Sequence, residues 1–342
     1  MSTQFAPLSR ADAARRIARK PWLPWVALAA TVAYSAWYLV LESGKGLFFY
    51  YDEWAFLLRR TGHSPDVFLR PHGEHLSAVP VAIYKAMLGV FGFDYRPYQW
   101  LLMGFVAALG VVVYVYGRRR VGPWLALIPA AVVLLGGAYW ENTMWVFQIG
   151  FIGSIVCGVA AFVALDRNSR RGDLCACGLL LLAIAQSSVG LPFLPGVVLE
   201  LLLRRQWPRL WVPVVPILAY GAWKIAYPVS DFKLGNLSHV PSFVFDAAAG
   251  ASGSIFGLGR DAGKVILLAF VALAVEAIIR RRTTVRFWSL LGTALAFWVA
   301  AALARANMQL PDASRYLLPG ATLIMLAATE TARGWRPNRT AV

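Results

Sequence analysis

The chain has few cysteines and few charged residues for its length of 342. Three cysteines are too few for a secreted disulfide scaffold. Charged residues make up only 15% of the chain, against 59% apolar residues, which excludes an intrinsically disordered protein. The same low charge, with a mean hydropathy of +0.58, excludes an ordinary soluble domain. We expect buried thiols, and neither a disulfide nor a zinc site, at Cys157, Cys175 and Cys177, which fall in apolar segments.

Long apolar runs dominate the sequence. A membrane-spanning helix needs about 20 mostly apolar residues to cross about 30 Å of hydrocarbon, and runs of nearly that length recur along the whole chain. The runs are continuous rather than alternating, which excludes an outer-membrane barrel. The sequence therefore predicts an all-α polytopic membrane protein, with residues 1–342 in a single integral membrane domain.

Basic residues cluster between the apolar runs and account for the net charge of +16. Every second connection is basic, which is the positive-inside pattern of cytoplasmic loops, so the charge requires no nucleic-acid partner. The pattern predicts a multi-pass protein of the inner (plasma) membrane with cytoplasmic tails at 1–20 and 332–342. The basic clusters lie at 10–20, 118–120, 167–171, 204–209, 280–286 and 333–339.

This orientation predicts about ten membrane segments. Residues 174–203 must leave the inner face and return to it, so they form either two short spans or a re-entrant hairpin, broken near Ser187, Ser188, Gly190 and Pro192. The other predicted spans lie near 21–41, 98–117, 122–139, 144–165, 210–227, 262–279, 287–304 and 316–331.

The first outer loop, at 42–97, is far longer than a turn needs, and long loops of this kind usually carry function. Residues 76–92 are apolar enough to span, but a span here would invert every later basic cluster. We therefore predict an amphipathic helix on the outer surface, with Lys85 on one face and an apolar face formed by Leu76, Val79, Ile83, Met87 and Val90. Further extracytoplasmic loops are predicted at 228–261 and 305–315.

An acidic pair, Asp52 and Glu53, follows the first span within the motif Tyr50-Tyr51-Asp52-Glu53-Trp54. A carboxylate at the water boundary beside aromatic rings suits a general base toward a hydroxyl, because partial desolvation raises its pKa toward working pH. The alternative is structural, since acidic residues also cap the start of a helix, here near Trp54.

Three of the chain's four histidines lie within 13 residues of the same loop. His72 and His75, at a spacing of three, share one face of a helix if they are metal ligands. Pro71 and Gly73 favour a turn instead, in which the histidines and Glu74 contact a substrate or face solvent. These three alternatives stay open.

Basic side chains also occur at the predicted outer boundary. Arg305, Arg315 and Tyr316 precede or open the last span, where the Arg315 guanidinium either binds a phosphate through paired hydrogen bonds or extends to lipid headgroups. Lys224 lies within an apolar span, and because charge inside a membrane is costly, it either extends outward or pairs with a ligand or an acid.

A short polar break between two predicted spans contains Glu141 and Gln148. These side chains either line a cavity that binds sugar hydroxyls or lie in a solvated turn. The aromatic residues around them are typical of membrane interfaces and decide nothing by themselves.

These features together resemble the GT-C membrane glycosyltransferases, which take a sugar from a polyprenyl-phosphate donor on the outer face of the membrane. The similarity rests on the spans, the long first outer loop with its surface helix, the acidic motif after the first span, and Ser314-Arg315-Tyr316. Protein O-mannosyltransferases and aminoarabinose transferases carry a similar Asp-Glu pair. The resemblance implies that Asp52 is the catalytic base and that Glu53, with His72 or His75, orients the acceptor.

The resemblance further implies inverting transfer to a hydroxyl of a glycan, lipid or protein on the extracytoplasmic face. Arg315, with Arg305 or Lys224, would contact the donor phosphate. The resemblance leaves metal dependence open, so Mg²⁺ or Mn²⁺ stays an alternative. The alternative function is a lipid-linked sugar or polysaccharide transporter or flippase, although the broken helices such proteins need are limited here to 174–203.

Overall fold

The computed structural model describes residues 20–230 and 232–333, and these residues form helices with no β-strand, which confirms the all-α class. Most of the two predicted tails, with their basic clusters, lies outside the described residues. The helices are α1 (Leu23–Ala36, continued by a π-helical turn at Trp37–Glu42), α2 (Glu53–Leu58), α3 (Pro65–Leu69), α4 (Ala78–Phe91), α5 (Tyr95–Val121), α6 (Leu127–Leu135), α7 (Trp140–Met144), α8 (Ile149–Leu165), α9 (Arg170–Gln186), α10 (Phe193–Leu203), α11 (Trp211–Ala226), α12 (Val240–Ser254), α13 (Arg260–Ile279), α14 (Val285–Arg305) and α15 (Ser314–Thr331).

Five helical segments are long and apolar enough to cross a membrane, and each coincides with a predicted span. The total of about ten stays a prediction, because the other helices are shorter or less apolar. At the predicted span 122–139, helix α6 has nine residues and a length of about 14 Å, too short to cross alone. The five segments are Leu23–Glu42, Tyr95–Val121, Val146–Leu165, Arg260–Ile279 and Val285–Met308.

The segment 174–203 is broken where the sequence predicts. Helices α9 and α10, of 17 and 11 residues, are separated by a 3-10 turn at Ser188–Gly190. A Cβ atom at Gly190 would lie 2.5 Å from the backbone of Ala183, so this turn requires glycine. The two helices are about 25 and 16 Å long.

The predicted outer loop 228–261 contains a helix that the sequence did not indicate. Helix α12 is buried along Ala247–Ser254 and packs closely against α13. A Cβ atom at Gly253 would lie 2.5 Å from the carbonyl of Gly259, and one at Gly250 would lie 2.8 Å from Asp312. Small residues let the backbones approach closely, so this run forms a helix interface despite its weak hydropathy.

Side-chain burial adds a detail to the predicted surface helix and corrects the prediction for one cysteine. Helix α4 exists, but its fully buried residues are Val81 and Tyr84, whereas Val90 of the predicted apolar face is 73% exposed. The orientation of α4 follows from the Tyr84 hydroxyl, which donates a hydrogen bond to the buried carboxylate of Glu53, 2.8 Å away. Cys175 is exposed rather than buried, unlike Cys157 and Cys177, because α9 turns this position outward.

Five helices are joined at one end of the bundle by buried ion pairs. Arg286 at the start of α14, only 2% exposed, pairs with Glu200 of α10 (2.6 Å) and with Asp166 after α8 (3.1 Å). Arg120 of α5 pairs with Asp166 (3.1 Å) and with Glu330 of α15. These five residues form the inner ion cluster.

Replacing Arg286 by Met should lower the free energy of unfolding by about 3–5 kcal/mol, because Glu200 would lose its buried cationic partner. Arg204→Met is the matched control, since Arg204 also pairs with Glu200 (3.0 Å) but is 40% exposed, and should cost about 1 kcal/mol or less. Unfolding in mixed micelles measures both variants, and equal losses would contradict a central role for Arg286.

Candidate active site

A cavity of about 780 Å³ collects the predicted site residues from distant parts of the chain. Its wall is formed by residues of the segment 42–97, the turn before α8, the break between α9 and α10, the end of α11, and the facing ends of α14 and α15. Every predicted site residue except Glu53 lines it: Asp52, His72, Glu74, His75, Glu141, Gln148, Lys224, Arg305, Arg315 and Tyr316.

The cavity and the inner ion cluster lie at opposite ends of the same helices. Helix α14 begins beside Arg286 in the cluster and ends at Arg305 in the cavity, and the 19 steps between them span about 28 Å. Helix α15 runs the other way, from Arg315 to Glu330. The two sets of charged groups are therefore about one hydrocarbon thickness apart.

Asp52 is held at the cavity wall by a strained turn and by a histidine. Tyr51 directly before it has φ of +47°, a left-handed conformation that is uncommon outside glycine. The Asp52 side chain makes no capping hydrogen bond to α2. Its Oδ1 lies 3.3 Å from Nε2 of His72, so the carboxylate faces the cavity rather than the helix that follows.

Glu53 points away from the cavity and into the protein. Its Oε2 accepts a hydrogen bond from the Tyr50 backbone N–H (2.6 Å), and its Oε1 accepts bonds from the hydroxyls of Tyr84 (2.8 Å) and Tyr95 (3.4 Å). Burial raises the pKa of this carboxyl from 4.5 to about 7, although the hydrogen bonds oppose the shift. Glu53 therefore positions the Tyr50–Asp52 turn and does not contact a ligand in this cavity.

The segment at His72 is a tight turn and not a helix. The backbones of His72 and His75 exchange two N–H···O bonds of 3.0 Å, and Gly73 has φ of +57°. The ring of His72 packs against Phe56 and Phe147, with centroids 5.0 and 5.3 Å away. Nδ1 of His75 contacts the Ser188 hydroxyl at the helix break.

The cavity does not fit a metal ion held by protein ligands. Within residues 20–230 and 232–333, no group of three or more His, Cys, Asp or Glu side chains is arranged to hold one. Because His72 and His75 lie in a tight turn, they also do not share the helical face that two ligands at this spacing would need. Dependence on Mg²⁺ or Mn²⁺ stays an alternative, because Mg²⁺ is commonly held by one or two carboxylates together with substrate phosphates.

Two arginines in the cavity are each paired with an acid. Arg305 donates to both carboxylate oxygens of Glu74 (3.0 and 3.1 Å). Arg315 donates to Glu141 through its backbone N–H (2.8 Å) and its Nη1 (3.1 Å), and its guanidinium lies 5.2 Å from the Tyr316 ring centroid. These contacts fix the orientation of both guanidinium groups. This favours binding of a ligand in the cavity over extension of the side chains to lipid headgroups.

Lys224 differs from the two arginines. Its ammonium lies 5.5 Å from the centroid of the Trp223 ring, and it has no acidic partner among the residues described. A half-buried cation without such a partner attracts an anion strongly, because little water screens it.

The sequence did not reveal an apolar groove that joins the cavity. The groove, of about 510 Å³, lies between α10 and α11 and shares Leu191 and Tyr220 with the cavity. Ile217, Tyr220 and Lys224 follow one another at spacings of three and four on α11, so they lie on one face of that helix. Apolar residues in a predicted span are expected in any case, which is why the groove carried no sequence signal.

Comparison with protein-family models, curated proteins and solved structures finds no match for this chain. The observations that bear on its function are therefore those of the site itself.

The pKa of Glu53 leads to a prediction about stability. Because the folded-state pKa, about 7, exceeds the ordinary 4.5, stability from this group is full below about pH 4.5 and is lost as pH rises through 7. The melting temperature of the wild type should fall between about pH 5 and 7.5, and that of Glu53→Gln, which cannot ionise, should fall less. Glu42→Gln, at an exposed carboxylate, should keep the wild-type slope; an unchanged slope in Glu53→Gln would contradict the assignment.

Proposed function

We propose that the protein is a membrane glycosyltransferase of the GT-C type, which transfers a sugar from a polyprenyl-phosphate donor to an acceptor hydroxyl on the extracytoplasmic face of the inner membrane. The observation that carries the proposal is the cavity that combines Asp52 with Lys224, Arg305 and Arg315 and continues into an apolar groove. A base, cations and a hydrocarbon-lined path are the three features that this reaction needs.

The groove and Lys224 together fit an anionic lipid. Helix α10 extends for about 16 Å from the cavity toward the inner ion cluster, about half the thickness of the hydrocarbon. The face of α11 changes from apolar at Ile217 to cationic at Lys224. A hydrocarbon chain in the groove would therefore bring a phosphate attached to it next to the ammonium group.

The chemistry is a single displacement at the anomeric carbon. The acceptor oxygen forms a bond to that carbon, the bond from the carbon to the phosphate oxygen breaks, and Asp52 takes the hydroxyl proton. His72, 3.3 Å from Asp52, holds the carboxylate in direction. The leaving lipid phosphate gathers negative charge, which Lys224 and Arg315 stabilise. Because one displacement occurs, the product has the inverted anomeric configuration.

One structural observation favours the transporter alternative. The break between α9 and α10 reaches the cavity wall through Ser188 and Pro192, and broken helices beside a cavity are typical of transporters. A transporter moves the lipid-linked sugar intact, whereas a transferase consumes it. Consumption of the donor therefore separates the two functions.

Replacing Asp52 by Asn should reduce transfer about 10²- to 10⁴-fold, because the general base is lost while the side-chain volume stays the same. The assay follows radiolabelled sugar from a panel of polyprenyl-phosphate donors with the full chain in nanodiscs. Asp66→Asn is the matched control, since Asp66 belongs to the same loop but accepts a hydrogen bond from Tyr227 outside the cavity. Near wild-type transfer by Asp52→Asn would remove Asp52 from the mechanism.

Filling the groove should impair only donors with a long chain. Val198→Trp places an indole in the groove and should raise the KM for a long-chain polyprenyl donor about tenfold or more, while a short-chain donor that ends near the cavity is used as before. Leu218→Trp, at a residue of α11 that is 65% exposed and does not line the groove, is the control. Equal losses with both donors would argue against the groove as the chain site.

A further inference from the structure

Three aromatic side chains lie beside Asp52 on the cavity wall. Tyr50 and Tyr51 are 66% and 72% exposed. The Tyr50 ring centroid lies 6.0 Å from that of Tyr51 and 5.9 Å from that of Trp145. We call Tyr50, Tyr51 and Trp145 the aromatic shelf; all three line the same cavity as Asp52.

The backbone of the shelf is engaged in internal hydrogen bonds. Tyr50 donates its N–H to Glu53, and its carbonyl accepts from the Trp145 indole (3.3 Å). The Tyr51 carbonyl accepts from the N–H of Trp54 (3.3 Å). A peptide that binds by strand addition needs unpaired backbone groups, and this segment offers few. A ligand at the aromatic shelf would therefore contact the faces of the rings rather than the backbone.

The backbone strain at Tyr51 points to a ligand. A glycine would adopt φ of +47° at little cost, yet the chain holds a large exposed ring in this conformation. Strain of this kind clusters at ligand clamps and active sites. An aromatic residue that only anchors a protein at the membrane interface needs no particular backbone conformation.

We infer that the aromatic shelf binds the acceptor and that this acceptor is a saccharide. The faces of a sugar ring carry C–H groups that stack on aromatic rings, while its hydroxyls extend from the rim. A sugar stacked on Tyr51 presents a rim hydroxyl to Asp52, the adjacent residue on the same cavity wall. The reaction rests on the proposed function, but binding of the saccharide can be measured without any donor.

Three variants distinguish a contribution of the aromatic rings to binding from a contribution of the backbone conformation at Tyr51. Tyr51→Asn removes the ring and keeps a residue that tolerates the left-handed conformation, whereas Tyr51→Phe keeps the ring. Trp145→Leu removes a ring from a different segment. Tyr38→Ala is the matched control, because Tyr38 is 50% exposed but does not line the cavity.

The probes are an array of free oligosaccharides and an array of Ser- and Thr-containing peptides, each presented to the full chain in nanodiscs without donor. We expect saccharide binding that weakens about tenfold in Tyr51→Asn and in Trp145→Leu, weakens much less in Tyr51→Phe, which keeps the ring, and is unchanged in Tyr38→Ala. Thermal unfolding confirms that the variants are folded, and it distinguishes a lost contact from a lost fold.

Binding of peptides alone, absence of saccharide binding, or equal weakening by Tyr38→Ala would overturn the inference. The proposed function is tested separately by donor consumption. Donor consumption that depends on Asp52, without saccharide binding, would support the transferase function and contradict a saccharide site at the aromatic shelf. Saccharide binding that depends on Tyr51, without donor consumption, would support a saccharide site at the aromatic shelf and contradict the transferase function.

Discussion

The cost of charge inside hydrocarbon is the constraint on which this structure depends. Ionised groups are expensive within a bilayer unless they are paired or face water. The chain meets this constraint in two layers about 28 Å apart along α14. At one end Arg286, Glu200 and their neighbours pair with each other and join five helices. At the other end the charged groups surround a cavity, where a ligand can complete their interactions.

Two adjacent acids show how environment decides the role of a side chain. Asp52 is about one-third exposed, faces the cavity and lies beside His72. Glu53 is fully buried and is clasped by Tyr84, Tyr95 and the backbone of Tyr50. Successive side chains at the start of a helix point about 100° apart, so only one of the two can face the cavity. The buried acid fixes the turn that presents the other.

The sequence predicts the members of the cavity because polar residues stand out against apolar spans. Lys224, Glu141 and Arg315 are conspicuous for that reason, and the positive-inside pattern places them at one end. The direction in which a side chain points, and whether the protein buries it, are harder to predict. Hydropathy does not tell a lipid-facing residue from a buried one, so Cys175 was wrongly predicted to be buried, and the side of α4 that packs into the protein was not predicted. Nor does it reveal α12, whose alanines and glycines form a helix through close packing.

The cavity has two kinds of wall, and they suit two substrates that arrive by different routes. The wall at α10 and α11 is apolar and leads to Lys224, so it can receive a lipid that diffuses within the membrane. The wall at Tyr50, Tyr51 and Trp145 carries exposed rings, so it can receive a ligand from water. In the proposed reaction these routes do not overlap, so neither substrate would have to leave before the other binds. Asp52 follows Tyr51 directly, which places the proposed base beside the wall that would hold an acceptor hydroxyl.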